Sequence, residues 1–309
     1  MRKNGEETKT VLDGMEIIQR NDFQNFTLDS VLLGDFVKIN RKTKKILDIG
    51  TGCGIISLIL AKKSKAQITG IELQTEMSEL AERNAENNNF QNQIRIVNED
   101  IKNYDRIFKK DEFDVIVTNP PYFDYDGNIN QINDLEQISR ARHNVDITIE
   151  EIIGISAYLL KNNGSFSMVF RSDRLVEVLG LLTKYNLEPK RMKNCYTGKG
   201  KNAKISIVEA IKDAKKGFTI EEAIYVYDEN GEKTEYIKKL YGRDIQNDWI
   251  DKFYNIAVII KICIQNYKIF YKNSDYNLHF SYDVKVQRSV FFKIIMCLRR
   301  LKSLILFLI

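Results

Sequence analysis

Three prolines, two histidines and four cysteines are all that this 309-residue chain carries of those types, and each scarcity excludes something. His143 and His279 leave little material for histidine-based catalysis or a histidine-rich metal site. Cys53, Cys195, Cys263 and Cys297 have no metal-like spacing, which favours free thiols in a reducing cytoplasm. Cys53 lies in a glycine-rich loop with nothing nearby to activate it, and reads as a small filler. No run of about 18 apolar residues escapes interruption by charge, so a spanning helix is not expected. The start, Met1 to Glu7, is polar with no apolar stretch behind it, so no secretory signal is expected. A general basic excess is missing as well. Residues 1–242 hold 36 Lys+Arg against 37 Asp+Glu, whereas 243–309 hold 11 Lys+Arg, five Asp and no Glu. A nucleic-acid footprint on the first 242 residues must therefore be a local patch.

Two of the three prolines stand side by side in Asn119-Pro120-Pro121-Tyr122. The apolar run before them, Phe113 to Thr118, reads as a buried strand. A proline pair cannot continue a central strand, and it holds the residues before it extended. Asn119 is thus presented at a strand tip on stiff backbone. Its amide oxygen and a neighbouring carbonyl, that of Pro120, are both acceptors and can take the two hydrogens of a planar exocyclic amine. Tyr122 adds a flat face on which a ring can stack.

Upstream, the strand Ile46 to Ile49 runs into Gly50-Thr51-Gly52-Cys53-Gly54, and a helix begins near Ile55. Glycines at alternate positions allow a tight turn and close approach of a ligand; the spacing is not that of the dinucleotide fingerprint. A second strand, Gln67 to Ile71, ends in Glu72, which is well set to bind ribose hydroxyls. A third, Ile94 to Val97, leads to Asp100 and Ile101, an acceptor for an adenine amine and an apolar side for its ring. Helices are expected at 55–63, 75–88, 148–161 and 173–185, and strands at 46–50, 67–71, 94–98, 113–118, 164–170, 190–197 and 204–210. The alternation implies a mostly parallel sheet with helices on both faces. The short link 198–203 makes the last two strands a hairpin, so one edge strand is expected to run antiparallel. All four site positions then fall at carboxyl ends of strands, the crevice where open α/β sheets bind ligands. The long polar stretch 123–147 reads as a substrate lid.

These residues resemble the class I S-adenosylmethionine-dependent methyltransferases of the Asn-Pro-Pro-Tyr type. Three further segments resemble the bacterial tRNA1(Val) adenine-37 N6-methyltransferase family: Asp13 to Gln19 with Phe26 to Phe36, then Ser139-Arg140-Ala141-Arg142-His143, then Phe170 to Leu175 with Glu188 to Arg191. The likeness covers about residues 8–242 and extends to Tyr225–Gly242. It implies a Rossmann-like fold with a seven-stranded sheet, S-adenosyl-L-methionine as cofactor, a tRNA substrate and a cytoplasmic enzyme without a metal. It further implies that Asp48, Gly50 and Gly52 bind the methionine part, Glu72 the ribose, and Asp100 with Ile101 the adenine of the cofactor. Asn119, Pro120 and Tyr122 would hold the acceptor amine and base. The chain departs from the family at Asn144, where an acid often follows the histidine.

Two basic patches are candidates for RNA contact. One runs through Lys190, Arg191, Lys193, Lys199, Lys201 and Lys204 with Tyr196 among them; the other is Arg140, Arg142 and His143. Rival readings are methylation of a release-factor glutamine, rRNA guanine-N2 methylation and a non-catalytic cofactor-binding scaffold. The first is disfavoured by the short segment ahead of the glycine loop, the second by Tyr122 where Phe tends to stand, and the third by the intact Asn119. Residues 1–242 are expected to form the catalytic domain, with 1–44 as a lead-in. Residues 243–309 lack Gly and Pro and read as a basic, apolar extension. A product of shifted or read-through translation is favoured for it, ahead of an accessory helical segment, with contact to a membrane surface last.

Overall fold

An Asp-Gly pair between two alternating stretches is a strong short-range signal for a tight hairpin, and the chain opens with one. In the computed structural model, which describes residues 7–21, 23, 25–120 and 147–242, β1 (Glu7–Leu12) and β2 (Met15–Arg20) pair antiparallel about Asp13 and Gly14. Both turn residues have positive φ, 47° and 77°, as a type I′ turn requires. Helix α1 (Leu28–Phe36) follows. The segment before Lys45, expected only as a lead-in, therefore contributes a hairpin and a helix to the fold.

From Lys45 onward strands and helices alternate as expected. In chain order they are β3 (Lys45–Ile49), α2 (Ile55–Lys63), β4 (Gln67–Glu72), α3 (Thr75–Asn87), β5 (Ile94–Asn98), α4 (Tyr104–Ile107), β6 (Phe113–Thr118), α5 (Ile149–Leu159), β7 (Leu160–Arg171), α6 (Leu175–Lys184), β8 (Leu187–Tyr196) and β9 (Ala203–Lys212). Two short strands, β10 (Thr219–Ile220) and β11 (Ile224–Tyr225), precede α7 (Glu235–Leu240). The contacts of the chain divide it after Ile245, and every described residue belongs to the first unit.

The central strands are apolar on both sides because both sides are covered. Ile46, Val115, Val117 and Val169 enter a core shared with α1, α2 and α3. Their neighbours Leu47, Ile116, Met168 and Phe170 enter a second core with α5 and α6. Strand order is β10-β8-β9-β7-β6-β3-β4-β5, with β11 also on β8. Among the described residues the sheet has nine strands where seven were expected; the additions are the two-residue β10 and β11.

The antiparallel strand is also not at the edge. β9 lies between β7 and β8 and runs antiparallel to both. Side-chain chemistry explains the placement. Ile207, Val208 and Ala210 of β9 are fully buried, whereas β8 carries Pro189, Lys190 and Lys193, which suit an outer position. The outer side of β8 is itself partly paired. β10 joins it at Arg191–Met192 and β11 at Cys195–Tyr196, and the amides of Glu221, Val226 and Tyr227 donate to the carbonyls of Met192, Tyr196 and Thr197.

Two polar devices join the N-terminal segment to the sheet. Asn84 on α3 and Asn88, which caps its carboxyl end, imitate a strand edge. Asn84 Oδ1 accepts from Ile18 N at 2.8 Å and its Nδ2 donates to Ile18 O at 2.9 Å. Asn88 treats Glu16 in the same way, at 3.0 and 2.8 Å. The carboxyl end of α1 is clamped by cations, as its dipole favours. Lys63 Nζ donates to the carbonyls of Gly34, Asp35 and Val37 at 2.9, 2.8 and 3.1 Å. Arg191 Nη2 donates to Phe36 O at 2.7 Å.

α1 also sits close against α2, and Gly34 makes that approach possible. A methyl group there would stand 2.9 Å from Ile59 Cδ1 and Cγ2. Gly34→Ala is expected to destabilise the fold by about 1–3 kcal/mol, read from urea unfolding, with part of the loss recovered by Ile59→Ala in the same chain.

Candidate active site

One register row organises the site. Val97, Ile71, Ile49 and Thr118 are successive partners across β5, β4, β3 and β6. The next residues along those strands are Asn98, Glu72, Gly50 and Asn119. Parallel strands lie about 4.8 Å apart, so these four positions span roughly 14 Å along the carboxyl edge of the sheet. Thr118 Oγ1 donates to Ile49 O at 3.0 Å and ties the last two members of the row together.

The glycine loop is held in place from below and open above. Gly50, Gly52 and Gly54 have φ of 69°, 57° and 84°, a region disfavoured for residues with a Cβ. Gly50 N and Thr51 N donate to Ile71 O at 2.9 and 3.1 Å, and Gly52 N donates to Glu72 Oε2 at 2.9 Å. Among the described residues, a Cβ on Gly50 would meet nothing within 4 Å, and one on Gly52 only Met77 Cε at 3.9 Å. The face that a side chain would fill is open to a ligand.

Asp48 lies beneath this loop and is fully buried. Its Oδ2 accepts from Thr51 Oγ1 at 2.7 Å, Ser57 Oγ at 2.8 Å and Ser57 N at 3.2 Å. Its Oδ1 is buried with no hydrogen-bond partner among the described residues. Burial pushes the carboxyl up to about 6, against the pull of the Thr51 and Ser57 donors. An orphaned, buried carboxylate oxygen is the acceptor an ammonium group requires. Glu72 is half-buried; burial raises its pKa, while the N–H groups of Gln74 and Gly52 oppose the shift.

Asp100 caps the 3-10 turn Ile101–Asn103 by accepting from Lys102 N at 2.9 Å. Ile101 is buried in the core with Ile49 and Ile71, so it contributes to the floor of the site. Asn98, not selected from the sequence, donates to the carbonyls of Glu72 and Leu73 at 2.9 and 3.1 Å and links the ends of β5 and β4. Cys53 is buried and burial pushes its thiol up to about 12, which is the behaviour of a filler.

Asn119 follows β6 directly and is half-buried, and Pro120 behind it is buried. Asn119 Nδ2 donates to Ser30 Oγ of α1 at 2.9 Å. Sequence reasoning did not single out Ser30, because the two residues are 89 positions apart. Tyr122, Arg140, Arg142 and His143 lie outside the described residues, as does the expected lid.

The basic patch of β8 does not survive as one surface. Arg191 is buried, not presented to RNA. Its guanidinium pairs with Glu209 through two 2.9 Å bonds and lies 3.7 Å from the Phe36 ring centroid. Residues alternate faces along a strand, so a charge run in sequence is split in space. Lys190 donates to Lys215 O at 2.9 Å and is set back from the carboxyl edge. Lys199 and Lys201, in the turn between β8 and β9, line a concavity of about 630 Å³ with Tyr227 and Glu229; Lys199 pairs there with Glu229 at 2.9 Å. No group of three or more His, Cys, Asp or Glu among the described residues is arranged to hold a metal ion. No helix among them is long and apolar enough to cross a membrane.

Comparison with known proteins is consistent with this geometry. A family model described as methyltransferase small domain matches residues 27–186. A tRNA1(Val) (adenine(37)-N6)-methyltransferase of Bacteroides thetaiotaomicron is 33% identical over 186 residues, covering 58% of this chain and 73% of that protein. One of Shewanella baltica is 30% identical over 176 residues, covering 57% and 72%. The crystal structure of a predicted O-methyltransferase, protein Atu636 from Agrobacterium tumefaciens, superposes with a TM-score of 0.55 at 20% identity over 69% of this chain and 95% of that one; the likeness concerns the fold.

The buried carboxyl of Asp48 makes a pH prediction. It titrates near 6 in the folded chain against an ordinary 3.8, so protonation favours the folded state. The cost of the buried charge is absent below about pH 4 and complete well above pH 6, on the order of 3 kcal/mol. Between pH 4 and pH 8 the unfolding free energy of Asp48→Asn is expected to rise relative to wild type by that amount, measured by urea titration at each pH. A pH-independent difference would place the titration elsewhere.

Proposed function

This chain belongs to the methyltransferase small domain family, with tRNA1(Val) (adenine(37)-N6)-methyltransferases among its relatives, and on that premise we propose that it methylates the exocyclic N6 of an adenine in tRNA, at position 37 of a valine tRNA. By family and fold it is an S-adenosyl-L-methionine-dependent methyltransferase. The choice of tRNA and of adenine is our reading, supported by relatives at 33% and 30% identity.

The residues of the crevice fit the cofactor. Asp48 Oδ1, buried and without a partner among the described residues, suits the ammonium of the methionine part. The open face of Gly50 and Gly52 leaves room beside it. Glu72 would take the ribose hydroxyls, and Asp100 with the floor at Ile101 the adenine. When bound, the cofactor supplies a methyl group already activated on a sulfonium, so the chain has to bind, orient and exclude water.

The single observation that carries the acceptor assignment is the place of Asn119. It stands one strand beyond the glycine loop on the same register row, with the nitrogen end of its amide bonded to Ser30. The amine of adenine is a poor nucleophile because its lone pair is conjugated into the ring. Asn119 Oδ1 and the Pro120 carbonyl would hold its two hydrogens and favour a more tetrahedral nitrogen, where positive charge then grows. Tyr122 would stack on the base, which must be splayed out of its own stack. Lys199 and Lys201 would contact phosphate beside this edge, with Arg140, Arg142 and His143 of the second patch.

Tritiated methyl transfer to bulk tRNA, rRNA and release factor in parallel tests the reading, followed by nucleoside mass spectrometry of the labelled pool. Label in N6-methyladenosine of tRNA is expected; label confined to rRNA or protein would overturn it.

Two substitutions separate the halves of the site. Glu72→Ala is expected to weaken cofactor binding by roughly 1–3 kcal/mol in calorimetry. Asn119→Ala is expected to leave that affinity intact and to lower kcat by at least about 10²–10³, read in single-turnover methylation of unmodified tRNA.

A further inference from the structure

A side-chain amide has one accepting and one donating end, and only the accepting end can hold the hydrogens of an amine. The Asn119 side chain must therefore be held in a defined pose while the amine reacts. Within its own strand, Thr118 spends its hydroxyl on Ile49 O, and Pro120 has no N–H to offer.

One hold on it comes from α1. We infer that Ser30 is a positioning residue for the transfer reaction, its hydroxyl bonding Asn119 Nδ2 and so holding that side chain in place where it meets the acceptor amine. The inference rests on the proposed amine-methylating role of Asn119. Four observations support it. The bond is short, 2.9 Å. Ser30 is 6% exposed, so water competes poorly for either partner. The expected local use of a hydroxyl at a helix start is capping, yet α1 takes no side-chain cap from Thr27, and Ser30 Oγ meets a residue 89 positions away.

The fourth is that α1 cannot readily carry Ser30 elsewhere. Its carboxyl end is held by Lys63 and by Arg191, and Tyr236 Oη donates to Asp35 Oδ2 at 2.7 Å. Its middle is fixed by the Gly34–Ile59 approach. A helix anchored along its length presents a hydroxyl at a reproducible place. The opposite amide orientation would set N–H against N–H at the acceptor and leave the amine without its partner.

Ser30→Ala and Ser30→Thr in the full-length chain test this. Single-turnover methylation of unmodified tRNA by Ser30→Ala is expected to slow about 10–100-fold, the scale of a misplaced reacting group. KM for tRNA and calorimetric cofactor affinity should stay within about twofold of wild type. Ser30→Thr keeps the hydroxyl and is expected to restore most of the rate. A second readout is independent of substrate: the side-chain ¹⁵N amide of Asn119, assigned by its disappearance in Asn119→Ala. Its protons should exchange slowly with water in wild type and quickly in Ser30→Ala. Unchanged amide exchange in Ser30→Ala, or transfer at the wild-type rate, overturns the positioning role. If wild type itself transfers no methyl to tRNA, the proposed substrate falls, while the amide measurement still decides whether Ser30 orients Asn119.

Discussion

A carboxylate removed from water must be met by donors, and the buried Asp48 imposes that demand on everything around it. Thr51 and Ser57 supply hydroxyls to one of its oxygens. Those two residues lie in the glycine loop and in the first turn of α2, so the loop takes its left-handed path partly to bring them there. Ile71 and Glu72 then receive the loop's amides. Relaxing any of these groups would leave a charge in the interior with fewer partners. The free oxygen is costly to an empty protein and useful to one that binds an ammonium, a trade common at functional sites.

The acceptor half of the site is built differently. Asn119 owes its position to β6, and its amide is bonded to a helix from near the start of the chain. Lys63 and the buried Arg191, itself paired with Glu209, hold that helix. The Arg191–Glu209 pair would contribute little to stability by itself, since desolvation offsets much of the attraction. Its geometric effect is larger: it seats Phe36 and thereby α1.

What could be read from the sequence was local. Strand ends marked by glycine, proline or an acid announce themselves within a few residues, so the positions of Gly50, Glu72 and Asn119 and the alternation of strands and helices were all legible. Arg191 was misread because its partner Glu209 is 18 positions away, and a charge run gives no sign of which members face inward. Ser30 was invisible for the same reason, at greater distance. The Asp13-Gly14 hairpin signal is confined to two adjacent residues. The inner position of β9 depends on the relative polarity of two adjacent strands, which turn length does not report.

The short strands β10 and β11 have a consequence for the protein among other copies of itself. A ten-residue outer strand with bare amides and carbonyls is a template on which another chain can add. Here the polypeptide folds back after β9 and occupies part of that template from within the same molecule. Charged Lys190 and Lys193 stand along the same strand. The sheet thus ends in its own chain, and concentration alone gives it less opportunity to grow into a shared one.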